Sequence, residues 1–119
     1  AWEGVSKRII SRKRVNSAVP NDGHIIINDK LLSDLGEKLI NIFRLSWLYD
    51  CDVMFDSSGN PCVLELNPRQ SGSIAVTIAA GVPMLDDLIS LSKGEDILDI
   101  RLPINKRVIP FKSLAVFDK

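Results

Sequence analysis

From Lys30 onward, apolar residues recur at Leu31, Leu35, Leu39 and Ile42, with Leu32 and Phe43 beside them, and this spacing predicts the clearest helix in the chain. Asn28 or Asp29 is placed to cap its first turn. Gly36 inside the helix costs about 1 kcal/mol relative to alanine, so it suggests close approach by a neighbouring element.

Upstream, Val5 to Val15 reads as a strand with basic punctuation, Asn16 to Gly23 as a loop, and "HIIIN" as a second short strand. Downstream, "YDCDVMF" and "PCVLELN" are strand-like runs joined by "DSSGN", where Gly59 can take a positive φ, and they form a hairpin. "SGSIAVTIAAG" predicts a buried helix stopped at Gly81. "PMLDDLISLSKG" predicts another, starting at Pro83 and ending at Gly94, with Leu85, Leu88, Ile89 and Leu91 as its apolar stripe. "KRVIPFKSLAVF" predicts a closing strand interrupted by Pro110. The expected class is α+β: a largely antiparallel sheet with two to three packed helices.

The 119 residues amount to one domain or a piece of one, and the 45% apolar and 25% charged composition is that of a folded globular chain. Fifteen basic and fifteen acidic residues cancel, so no broad field draws the chain to nucleic acid or an anionic membrane. The apolar runs fall far short of the roughly 20 residues a membrane helix needs. Cys51 and Cys62 lack CxxC spacing and are too few for a disulfide scaffold, which points to a reducing, cytoplasmic setting.

Candidate chemistry concentrates in the hairpin. Pairing Asp56 with Pro61 across the loop sets Asp52 opposite Glu65 and Asp50 opposite Asn67. Strand alternation then puts Asp50, Asp52 and Met54 on one face with Val63, Glu65 and Asn67. Cys51, Val53, Phe55, Cys62, Leu64 and Leu66 take the other face, expected to be core, with Cys62 opposite Phe55 and both thiols as small buried hydrophobes. Opposed carboxylates repel. A hard divalent cation such as Mg²⁺, which binds one or two carboxylates and completes its shell with water and phosphate oxygens, would relieve the repulsion at Asp52, Glu65 and Asn67; a solvated acidic face is the alternative. Arg69, just past Pro68, can reach phosphate beside such a metal or stand free on the surface. "SGS" at Ser71 to Ser73 can bind an anion or cap the next helix.

Together, "DVMFDSSGNPCVLELNPRQSGSIAVTIAAGVPMLDDLISLSKG" resembles the C-terminal part of the ATP-grasp domain, as in the carbamoyl-phosphate synthase large subunit and related carboxylate–amine ligases. The run Glu65-Leu66-Asn67-Pro68-Arg69, the acid Asp52 on the preceding strand and the Ala80-Gly81 turn carry the likeness. "ISRKRV" and "GHIIINDKLLSDLGEKL" extend it, so that it covers residues from about 5 to 95. The resemblance implies that Asp52, Glu65 and Asn67 hold one or two Mg²⁺ or Mn²⁺ ions bridging the ATP phosphates, and that Asn67 and Arg69 serve catalysis. Arg69 would stabilise the transferring phosphoryl group. Arg12 and Arg14 would face substrate or phosphate, and Met54 would line the nucleotide pocket. His24, after the loop glycine, reads as a satisfied or exposed histidine.

The family's glycine-rich lid with its phosphate-reaching lysine is not visible, and "LSWLYD" replaces the glycine-containing turn usual before the metal strand. Residues 1–119 therefore read as a single partial domain. Two functions remain open: part of a ligase that activates a carboxylate as an acyl phosphate for an amine, and a non-catalytic ATP-grasp-like binding module. A partial domain would also leave apolar surface exposed, with a homodimer one way to cover it and Trp2 and "KRVIPF" as candidate contacts.

Overall fold

A computed structural model describes residues 1–19 and 22–111. The elements run β1 (Ser11–Arg14), β2 (His24–Ile27), α1 (Lys30–Phe43), β3 (Asp50–Phe55), β4 (Pro61–Asn67), α2 (Ile74–Ala79), α3 (Met84–Ser92) and β5 (Arg107–Val108). The class is α+β, and among the described residues every pairing between these strands is antiparallel. One sheet has the order β1-β2-β5, and the β3-β4 hairpin forms the other.

The first predicted strand is realised only at its end. Residues before β1 spend their side chains on other elements: Lys7 bonds Asp96, Arg8 bonds Asp87, and Ile9 packs where Gly36 leaves room. The extreme N-terminal residues tie to the segment after α1. Ala1 and Trp47 exchange main-chain hydrogen bonds of 2.9 and 2.8 Å, and the Trp2 ring meets Trp47 edge-on at 4.8 Å. Trp2 is thus engaged within the chain.

In α1 the Asp29 side chain caps the Leu32 amide at 3.2 Å. The buried line differs from the predicted stripe: Ile40 is buried, Leu32, Gly36 and Leu39 are half-buried, and Leu31, Ile42 and Phe43 are exposed. Gly36 sets the rotation. A Cβ there would stand 3.1 Å from the end of the Ile9 side chain, so the helix approaches on its Leu32–Gly36–Ile40 row.

Core residues include Ile26 and Val82, both fully enclosed, with Val76, Ala80 and Leu91. The α3 stripe is also rotated from expectation. Asp87 and Leu91 are buried while Leu85 and Ile89 are exposed, because Arg8 draws Asp87 inward through bonds of 2.6 and 3.0 Å. The same guanidinium donates to the Leu98 carbonyl at 2.6 Å, anchoring the stretch after α3.

The hairpin turn is closed by Asp56, whose Oδ1 accepts from the Ser58 and Asn60 amides, each at 2.8 Å. Hydrogen bonds to Asn60 and its neighbours hold this carboxyl below its usual range. Phe55 pairs with Pro61, Met54 with Cys62 and Val53 with Val63, whereas Asp52 pairs with Glu65 and Asp50 with Asn67. Leu64 is the extra residue of a bulge. Toward the acidic end the register is the one expected from the sequence; toward the turn it is shifted by one. Cys62 therefore lies opposite Met54 rather than Phe55, on the acidic face. The turn end carries no core: Phe55, Cys62 and Leu64 are exposed, and Cys51 is half-buried. Both cysteines are free thiols.

The closing strand is only Arg107–Val108, with Pro110 just beyond it, and the predicted continuation into residues 112–119 lies outside the described residues. No helix among the described residues is long and apolar enough to cross a membrane.

Candidate functional site between the basic sheet face and the acidic hairpin

The β1–β2 register pairs Arg12 with Ile26 and Arg14 with His24, so these four residues share one face of the three-stranded sheet. That face meets the acidic side of the hairpin. Arg12 Nη2 lies 3.2 Å from Asp50 Oδ1, and Arg14 Nη2 lies 3.7 Å from Asp52 Oδ2. Two arginines spaced i, i+2 thus match two aspartates spaced i, i+2 on the opposing strand.

The two pairs differ in kind. Arg12 and Asp50 have side chains only 15% and 20% exposed, against 43% and 48% for Arg14 and Asp52. Arg12 also donates through Nη1 to the Ser73 carbonyl at 2.9 Å and to Ser73 Oγ at 3.0 Å. One guanidinium therefore joins β1, β3 and the start of α2. Burial pulls its pKa below the ordinary value, opposed by Asp50 and Asp52. Ser73 Oγ makes no cap bond to α2, and its hydroxyl sits 3.0 Å from that of Ser71.

Glu65 stands across from Asp52, and Asn67 across from Asp50. Glu65 is exposed, and among the described residues it has no ion-pair partner. The repulsion assigned from sequence to a cation is thus partly relieved by Arg12 and Arg14. No group of three or more His, Cys, Asp and Glu among the described residues forms a metal cluster. Two facing carboxylates and an amide still suit a hard cation that takes one or two carboxylates and draws its other oxygens from phosphate and water. Asp52, Glu65 and Asn67 fit Mg²⁺ on that chemistry, with Arg14 competing for Asp52.

Of the other residues singled out from sequence, Met54 follows Asp52 on the same face and is 59% exposed. Arg69 is exposed and donates to the Gln70 carbonyl at 3.1 Å, with no bond to the hairpin acids. The fold therefore brings Arg12, Arg14, Asp52, Glu65 and Asn67 together, and leaves Arg69 on the surface.

The roles of two residues named from the sequence were missed. Asp50 is the anchor for Arg12, a role legible in principle from the matched i, i+2 spacings. His24 is neither exposed nor satisfied: it is 6% exposed, and its Nδ1 has no hydrogen-bond partner. Burial lowers its pKa, and Arg12 and Arg14 lower it further against the opposing pull of Asp50 and Asp52. A lone histidine at a strand start carries no sequence signal for this, because enclosure depends on what packs against the strand in space.

A basic sheet face thus meets an acidic hairpin that ends in Glu-Leu-Asn-Pro-Arg, the run on which the ATP-grasp resemblance rests. Residues 1–110 match the family described as ATP-grasp in the biosynthetic pathway with Ter operon, and the chain belongs to that family. No curated protein and no solved structure matches it.

Proposed function

We propose that the chain is the C-terminal part of an ATP- and Mg²⁺-dependent carboxylate–amine ligase, similar in reaction to carbamoyl-phosphate synthase. The observation that carries this is the pairing of Asp52 with Glu65 beside that of Asp50 with Asn67. It gathers oxygen donors at the mouth of a basic face, which suits a nucleotide polyphosphate.

In this reading Asp52, Glu65 and Asn67 hold the metal. Mn²⁺ can replace Mg²⁺ there, because both favour oxygen donors. A cation held there would supply positive charge to the phosphate oxygens during phosphoryl transfer to the carboxylate. Arg69, two residues beyond Asn67, swings from the Gln70 carbonyl to the transferring group, and its planar fork suits phosphate geometry. Arg12 holds the hairpin against the sheet, Arg14 supplies positive charge at the mouth, and the exposed Met54 offers apolar surface to the nucleotide. The amine would then attack the acyl carbon, forming the C–N bond as the C–O bond to phosphate breaks and inorganic phosphate leaves, the amine giving up a proton.

A second reading, a binding module without turnover, draws on one specific observation: Asp50 and Asp52 already have arginine partners. Calorimetry of Mg²⁺-dependent ATP binding, on the intact protein and its Glu65→Ala variant, tests the metal assignment. Binding that depends on Mg²⁺ and is lost in the variant supports a metal site on the hairpin. Equal binding in both makes the acids a solvated face, and binding without turnover of any carboxylate favours the module.

A further inference from the structure

The two arginines facing the hairpin look equivalent in sequence, yet only one is locked. Arg12 is largely enclosed, hydrogen-bonded to Asp50 at 3.2 Å, and held twice more by Ser73. Arg14 is nearly half exposed, stands 3.7 Å from Asp52, beyond hydrogen-bond length, and makes no hydrogen bond to another described residue. It is one rung further along β1, opposite His24, where the hairpin departs toward its exposed turn.

Asp52 is also the carboxylate facing Glu65. A divalent cation there would compete with the guanidinium for the same oxygens and be repelled by its charge, an interaction that falls only slowly over a few ångströms.

We infer that Arg14 is an exchangeable counter-ion: it neutralises Asp52 while the cation is absent and turns to a phosphate oxygen when cation and nucleotide enter together. The inference rests on the ligase reading above. Its consequence is coupling. Metal alone binds weakly, because it must displace Arg14 with no new partner for the guanidinium; metal with a phosphate-bearing nucleotide binds tightly, because the nucleotide supplies one. Arg14 is thus a positioning residue that makes cation binding depend on nucleotide, while Arg12 remains a structural tie.

The test is Mn²⁺ binding to the full chain, followed by electron paramagnetic resonance with and without ADP, for the wild type and Arg14→Gln, Arg14→Lys and Asp52→Asn. Arg14→Gln is expected to bind Mn²⁺ alone about tenfold more tightly than the wild type, from removal of one nearby positive charge, and to lose most of that advantage when ADP is present. Arg14→Lys, which keeps the charge, is expected to stay near the wild type, and Asp52→Asn to bind weakly throughout. An unchanged or weaker affinity in Arg14→Gln overturns the exchange. An advantage that persists undiminished with ADP overturns the transfer to phosphate. Absence of Mn²⁺ binding in every variant, with and without ADP, brings down the metal reading and the inference together.

Discussion

The Arg12 guanidinium reaches Asp50 at 3.2 Å with one amino group and the Ser73 carbonyl at 2.9 Å with the other, so one side chain closes the hairpin and the start of α2 onto β1. Its neighbour Arg14 makes one longer, more exposed ion pair. Removing one member of an enclosed pair leaves a charge without its partner, whereas exposed pairs contribute little. Arg12→Ala should therefore cost roughly 2 to 3 kcal/mol of stability and Arg14→Ala less than about 1 kcal/mol. Urea denaturation of the two variants checks the order; equal losses would mean that Arg12 is not the tie.

Asp87 and Arg8 are about 9% and 10% exposed and share two hydrogen bonds. Asp87→Ala strands the guanidinium and should cost roughly 3 to 5 kcal/mol. Thermal unfolding should show a far larger loss than for Asp86→Ala on the exposed side of the same helix. A comparable small loss in both would show that the pair is not needed.

Gly23 has φ +109, and a Cβ there would stand 2.6 Å from the Val108 carbonyl oxygen. Backbone cannot yield as a side chain can. Gly23→Ala should lose about 1 to 3 kcal/mol from the backbone conformation alone, plus the pairing of β5 with β2. Faster amide hydrogen exchange at Val108 in the variant is the specific signature, and unchanged exchange there would count against the contact.

The enclosed His24 makes stability depend on pH. Unfolded histidine titrates near about 6.5, while burial with Arg12 and Arg14 nearby lowers the folded value despite Asp50 and Asp52. Between the two values the unfolded chain binds the extra proton. Stability should thus fall as pH drops below about 6.5, by at most about 1.4 kcal/mol per unit, and this contribution should be absent above it. His24→Leu should remove that component while leaving the melting temperature at neutral pH equal or higher, since an unpartnered polar atom is deleted. Identical pH profiles in melting experiments would refute it.

Much of the arrangement was legible in the chain because it is local. Period-3.6 spacing places α1, Asp29 caps it, and Gly59 and Asp56 define the hairpin turn; Asp52 meets Glu65 as expected only because the bulge at Leu64 offsets a one-residue shift at the turn. The Glu65-to-Arg69 run marked the ATP-grasp family before any fold was in view, and the match over residues 1–110 bears that out.

What local pattern does not contain is which partner a side chain will find across the molecule. The α1 and α3 stripes turned because Gly36 admits Ile9 and Arg8 pulls in Asp87. Alternation failed at Leu64 because a bulge adds one residue to one strand only. Arg12 and Arg14 took their partners from a hairpin that begins tens of residues later in the chain, and His24 its enclosure from tertiary packing. The sequence by itself determined the elements, the turn chemistry and the acidic run, since each depends on neighbours within a few residues; only the tertiary structure decided which charges meet and which imidazole is enclosed, because burial and Coulomb interaction depend on distance in space.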